Sequence, residues 1–273
     1  MQKNYKESIL CKNMSLNKKG QMTIFIIVAV VIVLALLFLF LFRKNIPSLF
    51  ESGLNPNEYL KQCVEPEVKP SVEILADNAG YQEPQAFVLS EGKKIQYLCY
   101  TNNYYETCTV QQPLTKKNFE KELNLMVKPR ANRCMKNLIA EYEKRGYEVS
   151  SEKIDSEVSV IPGKVLIRFN TPLIVTKEIT NKYSGFNVEM ESEIYDLLFI
   201  AQSIVEYEST YGDSASELYL QYYPNLKIEK TKMSDGTTIY KLSNVITKEE
   251  FKFASRSLAW PAGYGTDQIK EAK

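Results

Sequence analysis

Lys18-Lys19-Gly20-Gln21 leads directly into MTIFIIVAVVIVLALLFLFLF, the 21 residues from Met22 to Phe42. The run holds no charge and one weakly polar residue, Thr23. As a helix rising 1.5 Å per residue it would measure about 32 Å, the thickness of a bilayer's hydrocarbon core. A helix in water needs a polar face, and this segment has none. The reading is therefore a transmembrane helix over 21–43. Basic residues are concentrated before it, as Lys3, Lys6, Lys12, Lys18 and Lys19 against the lone acid Glu7, and only Arg43 and Lys44 follow it closely. That asymmetry places the amino terminus in the cytoplasm and the rest of the chain on the far side of the cell membrane, a single-pass topology. A cleaved secretory signal fits less well, because the run is too long and ends Leu41-Phe42-Arg43-Lys44 rather than in a small-residue site.

The Lys-Lys-Gly-Gln sequence before a long apolar helix resembles the class III signal of archaeal type IV pilin-like proteins. It also looks like a group of single-anchor surface proteins with cysteines in the exterior domain. The resemblance implies cleavage by a prepilin-type peptidase between Gly20 and Gln21, with Thr23 as the small hydroxylated third residue of the mature chain. It implies self-assembly of the mature subunit as well. Phe25 departs from the pattern, since many pilins carry Glu there. An uncut anchor fits the same residues, and both outcomes stay open at this point. Lipid would be the partner of Met22–Phe42 in either case.

The organisation expected is a leader over 1–20, the membrane helix over 21–43, a linker over 44–56, an extracytoplasmic domain over 57–260 and a flexible tail over 261–273. The whole chain carries 34 basic and 33 acidic residues, of which 7 and 1 lie in the first 44. The remainder is thus net acidic by five. Phosphate binding needs concentrated Lys and Arg, so no nucleic-acid partner is expected.

Cys11 precedes the apolar run, while Cys63, Cys99, Cys108 and Cys134 follow it. An even number beyond the membrane reads as a disulfide framework. Of three connectivities, Cys99–Cys108 and Cys63–Cys134 are favoured. The first pair brackets a polar, turn-prone segment, and the second lies on the apolar faces of two helices. A metal site is the other use of four cysteines. No C-x₂-C spacing and no His at all argue against zinc.

The rest of the pattern is α+β, with helices and antiparallel sheet. Residues 57–79 read as a helix broken or kinked by Pro66 and Pro70, and 86–110 as a hairpin. Asn118–Arg145 reads as a helix divided by Pro129 and capped by Gly146. Strands are expected over Val158–Ile161, Lys164–Phe169, Thr171–Ile179 and Phe186–Glu191. Glu193–Ser209 is the cleanest amphipathic helix, and Ser214-Ala-Ser-Glu217 has capping-box form before a short helix ending at Pro224. Leu226–Lys232 and Thr237–Asn244 flank Asp235-Gly236, a hairpin signal, and Phe251–Leu258 makes a last strand.

Catalytic motifs do not emerge. Without His, the Ser-His-Asp and Cys-His arrangements are excluded, and neither a phosphate loop nor G-x-S-x-G occurs. Enzymatic activity is not expected; a carboxylate-based hydrolase is the one catalytic class the composition permits. Glu206, Glu208 and Asp213 qualify as acids in name, but among 33 acidic residues they read as solvated surface. No cofactor is implied. The 18 tyrosines are the positive hint. Tyr100, Asn102, Asn103, Tyr104 and Tyr105 sit inside the Cys99–Cys108 loop, and Tyr with Asn is a composition suited to protein recognition. A second cluster, Tyr219, Tyr222 and Tyr223, reads more simply as half-buried packing. Two functions follow: a membrane-anchored, pilin-like or surface-assembly component, or a tethered binding module using the Cys99–Cys108 loop. Trp260 reads as a core or interface residue.

Overall fold

The computed structural model describes residues 28–34 and 54–259, and the chain divides into two units, Met1–Gly53 and Leu54–Lys273. In the first unit residues 28–34 are helical (α1). Among the described residues no helix is long and apolar enough to cross a membrane. That finding overturns the transmembrane helix read from Met22–Phe42. The single-pass topology and the membrane location, both derived from that helix, are corrected with it. The remainder of the run, the leader with Gly20 and Gln21, most of the linker and the tail with Trp260 lie outside the described residues.

The second unit is α+β and opens with α2, Pro56–Asp77. Asn55 caps it by accepting from the backbone N–H groups of Asn57 and Glu58, with Pro56 in the first turn, where its missing N–H costs nothing. Pro66 and Pro70 read as sites of a kink or break, and the helix runs without a break for 22 residues. Both prolines face solvent, one turn apart, so water can serve the carbonyls of Gln62 and Pro66 that lose their partners. The opposite face, Leu60, Val64, Val68, Val72 and Leu75, is buried. Packing of that stripe outweighs the local penalty.

Helix α3, Thr115–Lys144, tolerates exposed Pro129 in the same way and is continuous over 30 residues. Its end follows the expected cap. Gly146, at φ +78°, donates to Glu143 O, and Tyr147 donates to Tyr142 O, with the two tyrosine rings packed edge-on 5.4 Å apart. These are the paired bonds and apolar contact of a Schellman motif.

Strands β1 (Phe87–Ser90), β2 (Lys93–Tyr100), β3 (Thr109–Val110), β10 (Leu226–Lys232), β11 (Thr237–Asn244) and β12 (Glu250–Arg256) form a six-stranded sheet. Its order is β1-β2-β12-β11-β10, with β3 also paired to β2. The sheet is mixed rather than antiparallel throughout, because β12 runs parallel to β2. Strands β5 (Ser156–Ile161), β6 (Lys164–Phe169) and β9 (Phe186–Glu191) make an antiparallel sheet, as do β4 (Glu148–Ser151), β7 (Leu173–Thr176) and β8 (Thr180–Tyr183). The last sheet was largely missed from sequence. Of its strands only β7, which alternates buried and exposed residues, lies within the strand read over Thr171–Ile179; β4 and β8 are four residues long with mostly exposed side chains and show no alternation.

Helix α4, Ile194–Tyr211, places its apolar stripe against β12, β11 and β2. Helix α2 packs on both β9 and β12, and α3 on α2, β4 and β5. One core results, running from Leu60 through Phe119, Leu138 and Ile167 to Phe251 and Phe253. Short helix α5, Glu217–Tyr222, starts from Ser216, whose side chain makes no capping bond. The capping box read at Ser214 does not form, and the Ser214 hydroxyl is buried without a hydrogen-bond partner. Cys63 bonds to Cys134 across the α2–α3 interface, and Cys99 to Cys108 across β2 and the start of β3.

Candidate functional site

The segment Tyr100–Thr107 leaves the carboxyl end of β2 and returns two residues before β3. Its closure does not depend on the Cys99–Cys108 bond alone. Thr101 N donates to Arg256 O at 3.0 Å, Tyr105 N to Leu258 O at 2.8 Å, and Leu258 N returns to Glu106 O at 3.0 Å. Cys108 N donates to the Ser257 hydroxyl at 3.2 Å. The loop is thus laced to the chain leaving β12 as an extra irregular ladder. The Arg256 guanidinium crosses between two loops, donating from Nη1 to Thr101 O and from Nε to Asp235 O in the β10–β11 turn. Gly236 in that turn leaves room for Leu258, since a Cβ there would collide with Leu258 Cδ2.

The five loop residues singled out from the sequence fall into two sets. Tyr100 folds back on the sheet, edge-on to Tyr97 at 4.9 Å and with Arg256 over its ring at 5.7 Å, and its hydroxyl donates to Asn102 Oδ1 at 2.6 Å. Asn103 donates from its side chain to Glu106 Oε2 at 2.8 Å, and its N–H donates to the Thr101 hydroxyl. These residues hold the loop's shape. Tyr104 and Tyr105 point away from it, 65% and 74% exposed. Tyr105 has φ +65°, a left-handed conformation costly for a bulky side chain and kept only where neighbours over-determine it. Its N–H bond to Leu258 O is one such determinant.

Directly beneath the loop lies a buried polar chain that the sequence did not disclose. Glu208, on the inner face of α4, is 2% exposed, so the reading of it as solvated surface is wrong. The Tyr240 hydroxyl donates to Glu208 Oε1, and Ser255 also hydrogen-bonds the carboxyl group. Ser255 in turn lies 3.7 Å from Cys108 Sγ, and Ser257 donates to the Glu208 carbonyl at 3.3 Å. Burial raises the Glu208 pKa, and the bonds from Ser255 and Tyr240 only partly offset it. Burial likewise drives Tyr240 far above the usual phenol range, with the Glu208 carboxylate adding to the shift. The Tyr240 ring stacks on Phe253 at 4.9 Å, and Lys230 lies over it at 5.2 Å. Lys230 is itself held by Asp213 Oδ1 at 2.6 Å and Ser214 O at 2.8 Å. Partial desolvation works against the charge of exposed Asp213, but Lys230 and Lys232 outweigh that and hold its pKa below the ordinary value. Glu206 is exposed and accepts from Gln202.

The three acids thus occupy three environments: one sealed beneath the loop, one neutralised by two lysines and one in water. No group of His, Cys, Asp and Glu with metal-binding geometry occurs among the described residues. Tyr219 bonds the Ser203 hydroxyl at 2.8 Å, which makes it a packing residue, whereas Tyr222 is 80% exposed. No protein-family model, curated protein or solved structure matches this chain.

Proposed function

We propose that the folded unit is a binding module that captures a protein partner through the Cys99–Cys108 loop, with Tyr104 and Tyr105 as its contact residues. One observation carries this reading. Two large aromatic side chains stand in solvent on a backbone fixed by a disulfide and three main-chain hydrogen bonds. Exposing tyrosines side by side gives no benefit to a free chain, and a strained φ at one of them adds cost. Both become useful on contact. A tyrosine offers a wide amphipathic surface with little rotamer entropy to lose, and a pre-ordered loop has already met the ordering cost of association.

The pairing of functions inside the loop supports the same reading. Tyr100, Asn102 and Asn103 spend their polar groups internally, leaving both protruding hydroxyls for a partner. The test is capture by immobilised full-length chain, quantified by mass spectrometry. Tyr104→Ala with Tyr105→Ala should lose the specifically captured partner at unchanged thermal stability. An identical captured set would dispose of the proposal.

A further inference from the structure

A second surface lies on α4, away from the Cys99–Cys108 loop. Two small pits flank the first half of this helix. One, of about 250 Å³, is lined by Leu114, Lys116, Lys117, Tyr195, Leu198 and Phe199, together with neighbouring residues. The other, of about 220 Å³, includes Glu193, Asp196, Tyr222, Tyr223 and Leu226 in its wall. The α4 residues of the two pits alternate, 195, 198, 199 and 202 against 193, 196, 197 and 200. At roughly 100° per residue these sets point to opposite flanks of the helix at the same height along it. Between them the outward ridge carries Phe199, 59% exposed, with Leu114 beside it 58% exposed.

The flanks are opposite in charge. Lys116 is engaged by Glu120 at 2.7 Å, but Lys117, Glu193 and Asp196 have no ion-pair partner among the described residues. One molecule therefore shows an unpaired cation on one side of an exposed apolar ridge and two unpaired carboxylates on the other. We infer that this face binds a second copy of the chain, about a two-fold axis parallel to α4. That symmetry lays the Lys117 flank of each copy over the Glu193–Asp196 flank of the other and buries Phe199 between them. An axis across the helix would set lysine against lysine instead. In the parallel-axis arrangement every attractive pair occurs twice, as an isologous interface requires. The Tyr222 and Tyr223 rings on the acidic flank give the incoming lysine aromatic faces as well as carboxylates.

The experiment mixes ¹⁵N-labelled and unlabelled full-length chain and treats it with a zero-length carbodiimide cross-linker. Mass spectrometry should find mixed-isotope cross-links from Lys117 to Glu193 or Asp196. Phe199→Glu, which leaves those reactive groups in place, should lower their yield on the order of tenfold by burying a charge in the contact. The double exchange Lys117→Glu with Asp196→Lys should retain a mixed-isotope cross-link between the same two positions, whereas Asp196→Lys alone should weaken it. Finding these links only within single-isotope molecules, or mixed links only elsewhere in the chain, overturns the inference. So does a yield indifferent to Phe199→Glu, as association through another segment would give. All three positions are surface sites, and unchanged far-ultraviolet circular dichroism separates lost contact from lost fold.

Discussion

The two disulfides sit in contrasting places. Cys63–Cys134 joins the long helices α2 and α3, from half-buried Cys63 to buried Cys134, closing a sequence separation of 71 residues. Cys99–Cys108 closes a separation of 9 between β2 and the residue before β3, buried above the Glu208–Tyr240 pair. The first restrains the fold as a whole. The second restrains one loop, and that loop is where exposed aromatics and a strained backbone coincide. Chain-entropy arguments favour the long closure for stability and give the short one a smaller share.

Removing the long closure is the hardest blow. Cys63→Ala with Cys134→Ala should cost about 4 kcal/mol from chain entropy alone, read as a lower urea midpoint, while the short closure scales to about 3 kcal/mol. If Cys99→Ala with Cys108→Ala proves the more damaging pair to stability, the division of roles drawn here is broken. Hydrogen exchange sharpens it further: the Cys99–Cys108 pair should lose protection in residues 100–107 and leave α2 and α3 unaffected.

Tyr240→Phe comes next. It strips a buried carboxyl of one of its donors, which should cost about 1–3 kcal/mol by chemical denaturation. Glu208 also gives this region a pH dependence of recognisable sign. Its folded pKa lies above the 4.5 of the free side chain, so the native state keeps a proton that the unfolded state has released. Its contribution to stability is complete below that value and is lost as pH rises through the folded pKa. The urea midpoint of the native chain should therefore fall with rising pH over that window, and Glu208→Gln should flatten the slope. A slope unchanged by Glu208→Gln would show that the carboxyl has the same pKa in the folded and unfolded chain.

The smallest effect on stability should come from Tyr104→Ala with Tyr105→Ala, within about 0.5 kcal/mol, as for exposed positions generally. It should coincide with the largest effect on capture. A large loss of stability instead would make these tyrosines structural and erase the contrast between the two closures.

Local patterns carried much of this fold. Leu226–Lys232, Asp235-Gly236 and Thr237–Asn244 are legible as a hairpin because turn chemistry and strand propensity act over neighbours. Gly146 is legible as a cap for the same reason. The prolines of α2 and α3 misled, since a proline's cost depends on which way it faces, and facing is set by the packing of the rest of the helix. The apolar run misled differently. Its composition describes a membrane-spanning helix, whereas among the described residues no helix is long and apolar enough to cross a membrane.

The sequence by itself determined the α+β alternation of elements, the segments with turn chemistry and the residues of the Cys99–Cys108 loop, because these depend on near neighbours and on cysteine count. Only the tertiary structure decided that β12 would run parallel to β2, bringing Arg256, Ser257 and Leu258 against that loop from some 150 residues away. It alone turned Glu208 inward beneath Tyr240. Such contacts repay the entropy of long-range closure only when the whole core forms, so no window of neighbouring residues records them.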